Sequence, residues 1–125
     1  MNKKIKVVFA EDEEETRHNI VSYINNRYNC EIIEACDGKE AWDAYVLHQP
    51  SLLITDLSMP EMDGLELIQK IRAVDKKLQI IVVTAHTEDD KLEIANSLNL
   101  IDYHVKPLKR NVLTSSLDKV VTRLS

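Results

Sequence analysis

The chain lacks the features that mark membrane, secreted and nucleic-acid-binding proteins. Its apolar runs are only a few residues long, far short of the roughly 20 needed to cross a bilayer, and no signal-type segment opens it. Basic side chains are in the minority, with 16 lysines and arginines against 21 aspartates and glutamates. The resulting formal net charge of -5 argues against a nucleic-acid groove. We therefore expect a soluble, cytoplasmic protein with no membrane contact and no direct nucleic-acid binding.

Cysteines and aromatic residues are also few. The two cysteines, Cys30 and Cys36, match neither a zinc spacing nor a disulfide framework, and we interpret both as reduced packing residues. Aromatic residues make up 5% of the chain, and their scattered positions disfavour a base-stacking surface. Trp42 is accordingly interpreted as a packing residue. No repeat, linker or low-complexity segment appears, so we expect one domain spanning residues 1–125.

Five short apolar segments alternate with five helical patterns along the chain. Strands are predicted at residues 4–10, 31–35, 52–54, 79–84 and 102–105. Helices are predicted after the first acidic block, after Asp37 as far as about His48, after Asp63, at 89–98 and at 109–124. This alternation predicts an α/β fold with a doubly wound parallel sheet that carries helices on both faces.

Local signals set several helix ends and one buried face. Asp37 and Asp63 each precede a glutamate by three residues, a spacing typical of helix N-caps, and Thr87 is predicted to cap the fourth helix. Asn99 is predicted to adopt a left-handed backbone conformation. The last helix is predicted to bury Val112, Leu113, Leu117, Val120 and Leu124.

Charged and hydroxyl side chains stand where four of the predicted strands end. Glu11 and Asp12 follow the first strand, Asp56 ends the third, Thr84 ends the fourth and Lys106 ends the fifth. In an open parallel sheet the carboxyl ends of the strands meet in one crevice, which is where such folds bind ligands. A helix cap remains the alternative role for Thr84, and an exposed surface position remains the alternative for Lys106.

The five side chains predict phosphoryl chemistry. Three carboxylates in a small pocket repel one another, and a hard divalent cation with oxygen ligands, Mg²⁺ beside phosphate, removes the conflict. Asp56 is then the nucleophile towards a phosphoryl group, and Lys106 and Thr84 contact the transferring oxygens. The expected product is an aspartyl phosphate, which is labile and suits a timed signal.

Four segments in this order resemble the receiver domains of two-component response regulators. They are EDEEETR at residues 11–17, TDLSMPEMDG at 55–64, IIVVTAH at 80–86 and DYHVKP at 102–107. The resemblance implies a flavodoxin-like fold with strand order 2-1-3-4-5. It also implies that Asp56 takes a phosphoryl group from a sensor histidine kinase or a phosphotransfer protein. Such a protein is a signalling module that catalyses its own phosphorylation and slow dephosphorylation.

The resemblance assigns further roles to single residues. It implies that Asp12, Asp56 and the main-chain carbonyl of Ser58 bind Mg²⁺ directly and that Glu11 binds it through water. It makes Thr84 and Tyr103 the switch residues, with Tyr103 turning inward when the hydroxyl of Thr84 engages phosphate. The expected partner-binding face comprises the fourth helix, the fifth strand and the fifth helix.

Two more positions are assigned to the tuning of phosphate lifetime, Ser58 and His86. We interpret His86 as a solvated neighbour of the site and not as a phosphodonor. The chain departs from the family pattern at Glu11, where many members carry aspartate, and at Asn99 and Leu100, where Gly-Ala is common. The first departure lengthens the reach to the metal, and the second alters the freedom of the segment before the last strand.

Three other functions are weighed against a phosphoacceptor. One is a small phosphohydrolase that forms an aspartyl phosphate, a second is a flavodoxin-like module that binds flavin, and a third is a docking module independent of phosphate. Multiple turnover of phosphate esters or bound flavin colour discriminates the first two. The sequence leaves open whether the receiver is freestanding or part of a larger regulator or hybrid kinase, and which kinase and target it serves.

Overall fold

The computed structural model describes residues 4–85 and 90–124, apart from the side chains of residues 90–92. The strands are β1 (Ile5–Ala10), β2 (Cys30–Ala35), β3 (Leu52–Thr55), β4 (Gln79–Thr84) and β5 (Asp102–Val105). The helices are α1 (Glu14–Arg27), α2 (Gly38–His48), α3 (Gly64–Arg72), α4 (Asp90–Asn96) and α5 (Arg110–Leu124). The predicted strands are confirmed, and α4 ends two residues earlier than expected. The predicted roles of His86 and Thr87 and the predicted helix start at 89 lie outside the described residues.

The five strands form one parallel sheet in the order β2-β1-β3-β4-β5. Both the fold class and the strand order are confirmed. The order reverses between β1 and β3, which is the place where open α/β sheets form a crevice. Ala10 pairs with Thr55 across these two strands, so the residues that follow them leave the sheet side by side.

The core lies in two layers, one on each face of the sheet. Successive side chains of a strand point to opposite faces, so Val8 and Leu53 join the layer beneath α2, α3 and α4. Val7 and Leu52 join the layer beneath α1 and α5. Because β1, β3 and β4 are covered on both sides, their residues are apolar almost without interruption.

Two predicted N-caps are confirmed. Asp37 accepts a hydrogen bond from the N–H of Glu40 at 2.8 Å, and Asp63 accepts one from the N–H of Glu66 at 2.9 Å. Each carboxylate satisfies a main-chain donor that has no partner within its helix. The second cap matters for function because it begins α3 immediately after the loop that follows β3.

The two glycines of the chain pack against that same loop. A Cβ atom on Gly64 would lie 1.8 Å from the carbonyl oxygen of Asp56, and one on Gly38 would lie 1.8 Å from the carbonyl oxygen of Met62. No side chain fits at either position without moving main-chain atoms. The path of the β3–α3 loop therefore depends on close backbone contact with the first turns of α2 and α3.

The predicted buried face of α5 was partly wrong. Leu113, Leu117 and Val120 are buried as expected, but Val112 is only half-buried and Leu124 is 39% exposed. The buried stripe includes Ser116 and is narrower than the apolar pattern. Val112 lies at the edge of that stripe, and Leu124 is the last residue of the helix, where little of the core remains to cover it.

Among the residues that the structure describes, three other than glycine have positive φ. Asn99 (φ 65°) was predicted, whereas Gln49 (φ 48°) and Glu61 (φ 68°) were not. Gln49 is the left-handed C-cap of α2, and its N–H donates to the carbonyl oxygen of Tyr45 at 3.0 Å. The helix therefore ends at a left-handed residue that is neither glycine nor asparagine, so the sequence did not predict this cap.

The remaining expectations concern packing and thiols. Trp42 is half-buried against the core, with the Tyr45 ring 5.5 Å away and the Lys70 ammonium 4.4 Å from its ring, which agrees with a packing role. Cys30 and Cys36 are both free thiols; Cys30 is partly buried, but Cys36 is exposed, so the packing role predicted for Cys36 is wrong. Within residues 4–85 and 90–124, every helix is too short or too polar to cross a bilayer.

Candidate functional site

Three carboxylates converge at the carboxyl edge of the sheet. They belong to Glu11, Asp12 and Asp56, and one oxygen of each lies within 4.8 Å of the other two. We call this cluster the acidic pocket. Glu11 and Asp56 are 2% and 7% exposed, whereas Asp12 is exposed to solvent. The pocket thus has a buried floor and an open rim.

Lys106 enters the acidic pocket from the end of β5. Its ammonium donates hydrogen bonds to Asp56 Oδ2 at 2.8 Å and to Glu11 Oε1. This geometry confirms that the lysine points into the pocket and not to the surface, and its peptide bond to Pro107 is cis. Three carboxylates and one ammonium leave two formal negative charges in the pocket.

Burial and hydrogen bonding shift the pKa in opposite directions for both Lys106 and Glu11. Burial alone would lower the pKa of Lys106, but its hydrogen bonds to Asp56 and Glu11 outweigh that effect and raise the pKa above its ordinary value. Burial raises the pKa of Glu11, although Lys106 opposes the change. Lys106 is therefore held firmly as a cation, and Glu11 gives up its proton less readily than a solvated glutamate.

Main-chain hydrogen bonds hold Asp56 in place. Its N–H donates to the carbonyl oxygen of Ala10 at 3.2 Å, and its Oδ1 accepts a hydrogen bond from the N–H of Ser58 at 3.1 Å. Farther along the loop, the N–H of Gly64 donates to the carbonyl oxygen of Leu57 at 2.9 Å. Both oxygens of the Asp56 carboxylate are consequently oriented, one by Ser58 and one by the ammonium described above.

The predicted hydroxyl and aromatic residues lie on the neighbouring strands. Thr84 is fully buried at the end of β4 and pairs in register with Val105, the residue before Lys106. Tyr103 of β5 is 46% exposed. The fold therefore places Thr84 at the same edge as the acidic pocket and leaves Tyr103 facing outwards. His86 is outside the described residues.

The donor atoms of the acidic pocket suit a hard cation. All three ligand groups are carboxylates, and Glu11 Oε2 is a buried oxygen that has no hydrogen-bond partner among the described residues. A buried acceptor left without a donor is costly, and a bound cation or a water ligand of that cation would satisfy it. The residues present therefore fit Mg²⁺ better than a soft metal ion.

A second acidic group has a structural explanation. Cys36, Asp37 and Glu40 also bring ligand atoms within 4.8 Å of one another. Asp37 caps α2, and Glu40 Oε1 accepts a hydrogen bond from the N–H of Cys36 at 2.9 Å. The cluster is thus accounted for by the start of α2.

Arg17 is a site residue that the sequence reasoning missed. Its Nη1 donates to the main-chain carbonyl oxygen of Glu11 at 2.7 Å, and its Nε donates to Glu34 Oε1 at 3.1 Å. The local signals were its place about one helical turn after the acids that open α1 and its position at the end of the segment EDEEETR. The partner on β2 lies 17 residues away in sequence, so the contact was not predictable from local pattern.

Comparison with known proteins gives one consistent family. The sequence profile described as "Response regulator receiver domain" matches residues 7–118. A chemotaxis protein CheY homolog of Campylobacter jejuni is 33% identical over 120 residues, which are 94% of this chain and 92% of that protein. The uncharacterized transcriptional regulatory protein YesN of Bacillus subtilis is 37% identical over 91 residues, but this chain spans only 25% of its length.

A solved structure agrees with the sequence comparisons. The REC domain of AraT, a response regulator from Geobacillus stearothermophilus, superposes with a TM-score of 0.88 at 35% identity. The superposition covers 98% of this chain and 96% of that one. Similarity in sequence and in backbone therefore extends over nearly the whole described chain.

Proposed function

The chain belongs to the response regulator receiver family of two-component signalling, and on that premise we propose that Asp56 is the residue that accepts the phosphoryl group. Family membership favours a phosphoacceptor over the phosphohydrolase, flavin-binding and docking alternatives. The observation that carries the assignment is the environment of Asp56. Its carboxylate lies where the strand order reverses between β1 and β3. It accepts hydrogen bonds from the Lys106 ammonium at 2.8 Å and from the Ser58 N–H at 3.1 Å.

The transfer is a substitution at phosphorus. An oxygen of the Asp56 carboxylate forms a bond to phosphorus while the bond from phosphorus to the donor imidazole nitrogen breaks, and that nitrogen keeps the electron pair. Lys106 pairs with the negative charge on the transferring oxygens, and the hydroxyl of Thr84 donates to one of them. Hydrolysis reverses the phosphorylation, since water takes the phosphoryl group from Asp56 and regenerates the carboxylate. The protein thus catalyses reactions of its own side chain.

We assign the acidic pocket to Mg²⁺. Asp12, Asp56 and the main-chain carbonyl of Ser58 bind the ion directly, and Glu11 binds it through water. When bound, Mg²⁺ neutralises charge on the phosphoryl oxygens and on the carboxylates. The unpartnered Glu11 Oε2 and the all-oxygen donor set support this assignment.

Phosphorylation in the acidic pocket changes the conformation of the face formed by α4, β5 and α5. Thr84 follows the phosphoryl group, and Tyr103 then turns inward from its half-exposed position. Two apolar neighbours on this face, Ile94 and Val105, are each 44% exposed and are available to a partner. Ser58 and His86 set the lifetime of the phosphorylated state.

The partners follow from the family. Receiver domains interact with histidine kinases or phosphotransfer proteins, and we propose that one of these is the donor for this chain in the cytoplasm. We further propose that residues 1–125 act as one receiver domain whose downstream target is a protein.

Intact mass spectrometry tests the acceptor. The protein is incubated with acetyl phosphate with and without Mg²⁺, and we expect one phosphoryl group to be added only with the metal. Asp56→Asn should abolish the addition because the amide is a poor nucleophile. Asp63→Asn, which alters a loop aspartate of the same type outside the pocket, is the matched control and should still be labelled. Unchanged labelling of Asp56→Asn would refute the assignment.

A further inference from the structure

Arg17 closes a ring of hydrogen bonds between the ends of β1 and β2. It donates to the carbonyl oxygen of Glu11 at 2.7 Å and to the carboxylate of Glu34 at 3.1 Å. The N–H of Glu11 donates to the carbonyl oxygen of Ala35, the residue after Glu34, at 3.0 Å. Both main-chain polar groups of Glu11 are therefore bound to this ring.

The bond to Glu11 is the better protected of the two that Arg17 makes. The Arg17 side chain is 16% exposed, whereas that of Glu34 is 44% exposed. An ion pair that is open to solvent contributes little, while a charged donor on a shielded carbonyl contributes more. The inward bond is thus the one expected to have a measurable effect.

The carbonyl that Arg17 holds belongs to the peptide between Glu11 and Asp12. The torsions on either side of that peptide set the direction of the Glu11 carboxylate relative to that of Asp12, so fixing the peptide fixes how the two carboxylates face Asp56. We propose that Arg17 is a positioning residue for the cation site, since it fixes two of the three carboxylates of the acidic pocket through their shared peptide. The inference rests on the proposed function, because it requires the pocket to bind a divalent cation.

The direction in which loss of Arg17 changes cation affinity distinguishes a positioning role from a purely electrostatic one. If Arg17 acted only as a nearby positive charge, its removal would strengthen binding of a divalent cation. If it positions the carboxylates, its removal weakens binding, as loss of residues that orient metal ligands commonly does by about 10-fold to 100-fold. The two explanations therefore predict opposite changes in the dissociation constant.

Calorimetric titration with Mg²⁺ measures that constant directly. We expect Arg17→Met to raise it about tenfold, with Glu34→Gln having a smaller effect because the inward bond remains. Arg27→Met removes the same charge from the far end of the same helix, and it should bind as the wild type does. Arg17→Lys keeps the charge but offers one ammonium in place of the guanidinium fork, so it should restore binding only in part.

Each outcome bears on a separate claim. A wild-type protein that binds no Mg²⁺ and takes no phosphoryl group from acetyl phosphate overturns the proposed function and this inference with it. Normal wild-type behaviour with equal or tighter Mg²⁺ binding by Arg17→Met overturns the inference alone. Circular dichroism confirms folding before each titration. If Arg17→Met does not fold, the Mg²⁺ dissociation constants of Arg17→Lys and Arg27→Met are compared instead: weaker binding by Arg17→Lys supports the inference, and equal binding overturns it.

Discussion

At the scale of single residues, Lys106 determines how the acidic pocket is stabilised without metal. Its side chain is 22% exposed, whereas those of Glu11 and Asp56 are 3% and 9% exposed. Two largely buried carboxylates therefore depend on one ammonium. A cation in the same pocket would be an alternative partner for the same oxygens, so bound Mg²⁺ would compensate the carboxylate charge that the lysine compensates without metal.

Replacing this lysine should make stability depend on Mg²⁺. We expect Lys106→Met to lower the free energy of unfolding in EDTA by about 2 kcal/mol, less than the roughly 3–5 kcal/mol of a fully buried pair. Saturating Mg²⁺ should stabilise the variant more than the wild type, because the carboxylates then lack their internal partner. Urea unfolding followed by circular dichroism measures both effects.

Lys119→Met is the matched control for that experiment. Lys119 is 49% exposed and donates to a single carboxylate, that of Asp102, at 2.9 Å. An exposed pair of this kind contributes about 0–1 kcal/mol, and Mg²⁺ should not alter the effect of its loss. Equal stability of Lys106→Met and wild type in EDTA would contradict the prediction.

At the scale of elements, β5 and α5 are joined by a partly buried polar network around Ser116. Ser116 of α5 donates its hydroxyl to Asp102 Oδ2 at 2.7 Å and lies 2.6 Å from His104 Nε2. Because the hydroxyl has one hydrogen and gives it to Asp102, it accepts the hydrogen on His104 Nε2. Asp102 and His104 thus meet the same serine, and Lys119 binds the carboxylate from the next turn of the helix.

The network makes stability depend on pH. Burial lowers the pKa of His104 below its ordinary value of 6.5, against the attraction of Asp102 and together with the repulsion of Lys119. The unfolded chain therefore binds a proton more readily than the folded one. The stabilising contribution is full above pH 6.5 and is lost as the pH falls through the folded pKa.

Urea unfolding between about pH 8 and pH 5 tests this sign. We expect the free energy of unfolding of the wild type to fall as the pH decreases through this range, and His104→Gln to reduce the slope. His18→Gln, at an exposed position of α1, is the control and should keep the wild-type slope. A steeper slope in His104→Gln would show the assigned direction to be wrong.

Arg72 joins elements in a similar way at the other end of α3. Its Nε donates to the carbonyl oxygen of Leu98 at 2.8 Å and its Nη2 to that of Asn99 at 2.9 Å. The side chain of Arg72 is almost completely buried. It supplies donors to carbonyl groups left open where α4 ends, so a charged residue stabilises the turn before β5.

At the scale of the whole molecule, the order of strands connects the proposed acceptor, Asp56, with the exposed face that carries Tyr103. β4 lies between β3, which precedes Asp56, and β5, which carries Tyr103. Thr84 ends the intermediate strand. Under the proposed function, a change at Asp56 would therefore cross only two neighbouring strand ends before it reached Tyr103.

This route predicts that phosphorylation lowers the exposure of one tyrosine ring. Line broadening of ¹³C-labelled tyrosine rings by a soluble nitroxide should decrease for Tyr103 when acetyl phosphate and Mg²⁺ are added. Thr84→Ala removes the hydroxyl, so Tyr103 should stay as exposed as before although Asp56 is still labelled. Unchanged broadening in a wild-type protein shown by mass to be phosphorylated would contradict the route.

The other tyrosines serve as internal references. Each has a hydroxyl partner elsewhere in the fold, and their ring signals should not change with phosphorylation: Tyr23 with Thr114 at 2.7 Å, Tyr28 with Asp118 at 2.8 Å, and Tyr45 with Asp75 at 2.8 Å. Burial and its bond to Asp75 raise the pKa of Tyr45 to about 12.

The sequence by itself determined the strands, most helix bounds and the set of residues at the carboxyl edge. These follow from apolar runs, N-caps and the polar residue after each strand, all of which act over a few neighbouring residues. Only the tertiary structure decided that Lys106 binds both Glu11 and Asp56, and that Arg17 holds the main chain beside them. Such contacts join residues as far as 95 positions apart, and their geometry depends on how the elements pack. For the same reason the prediction that Leu124 is buried was wrong. An apolar side chain favours burial, but the packing of the neighbouring elements decides whether it is buried.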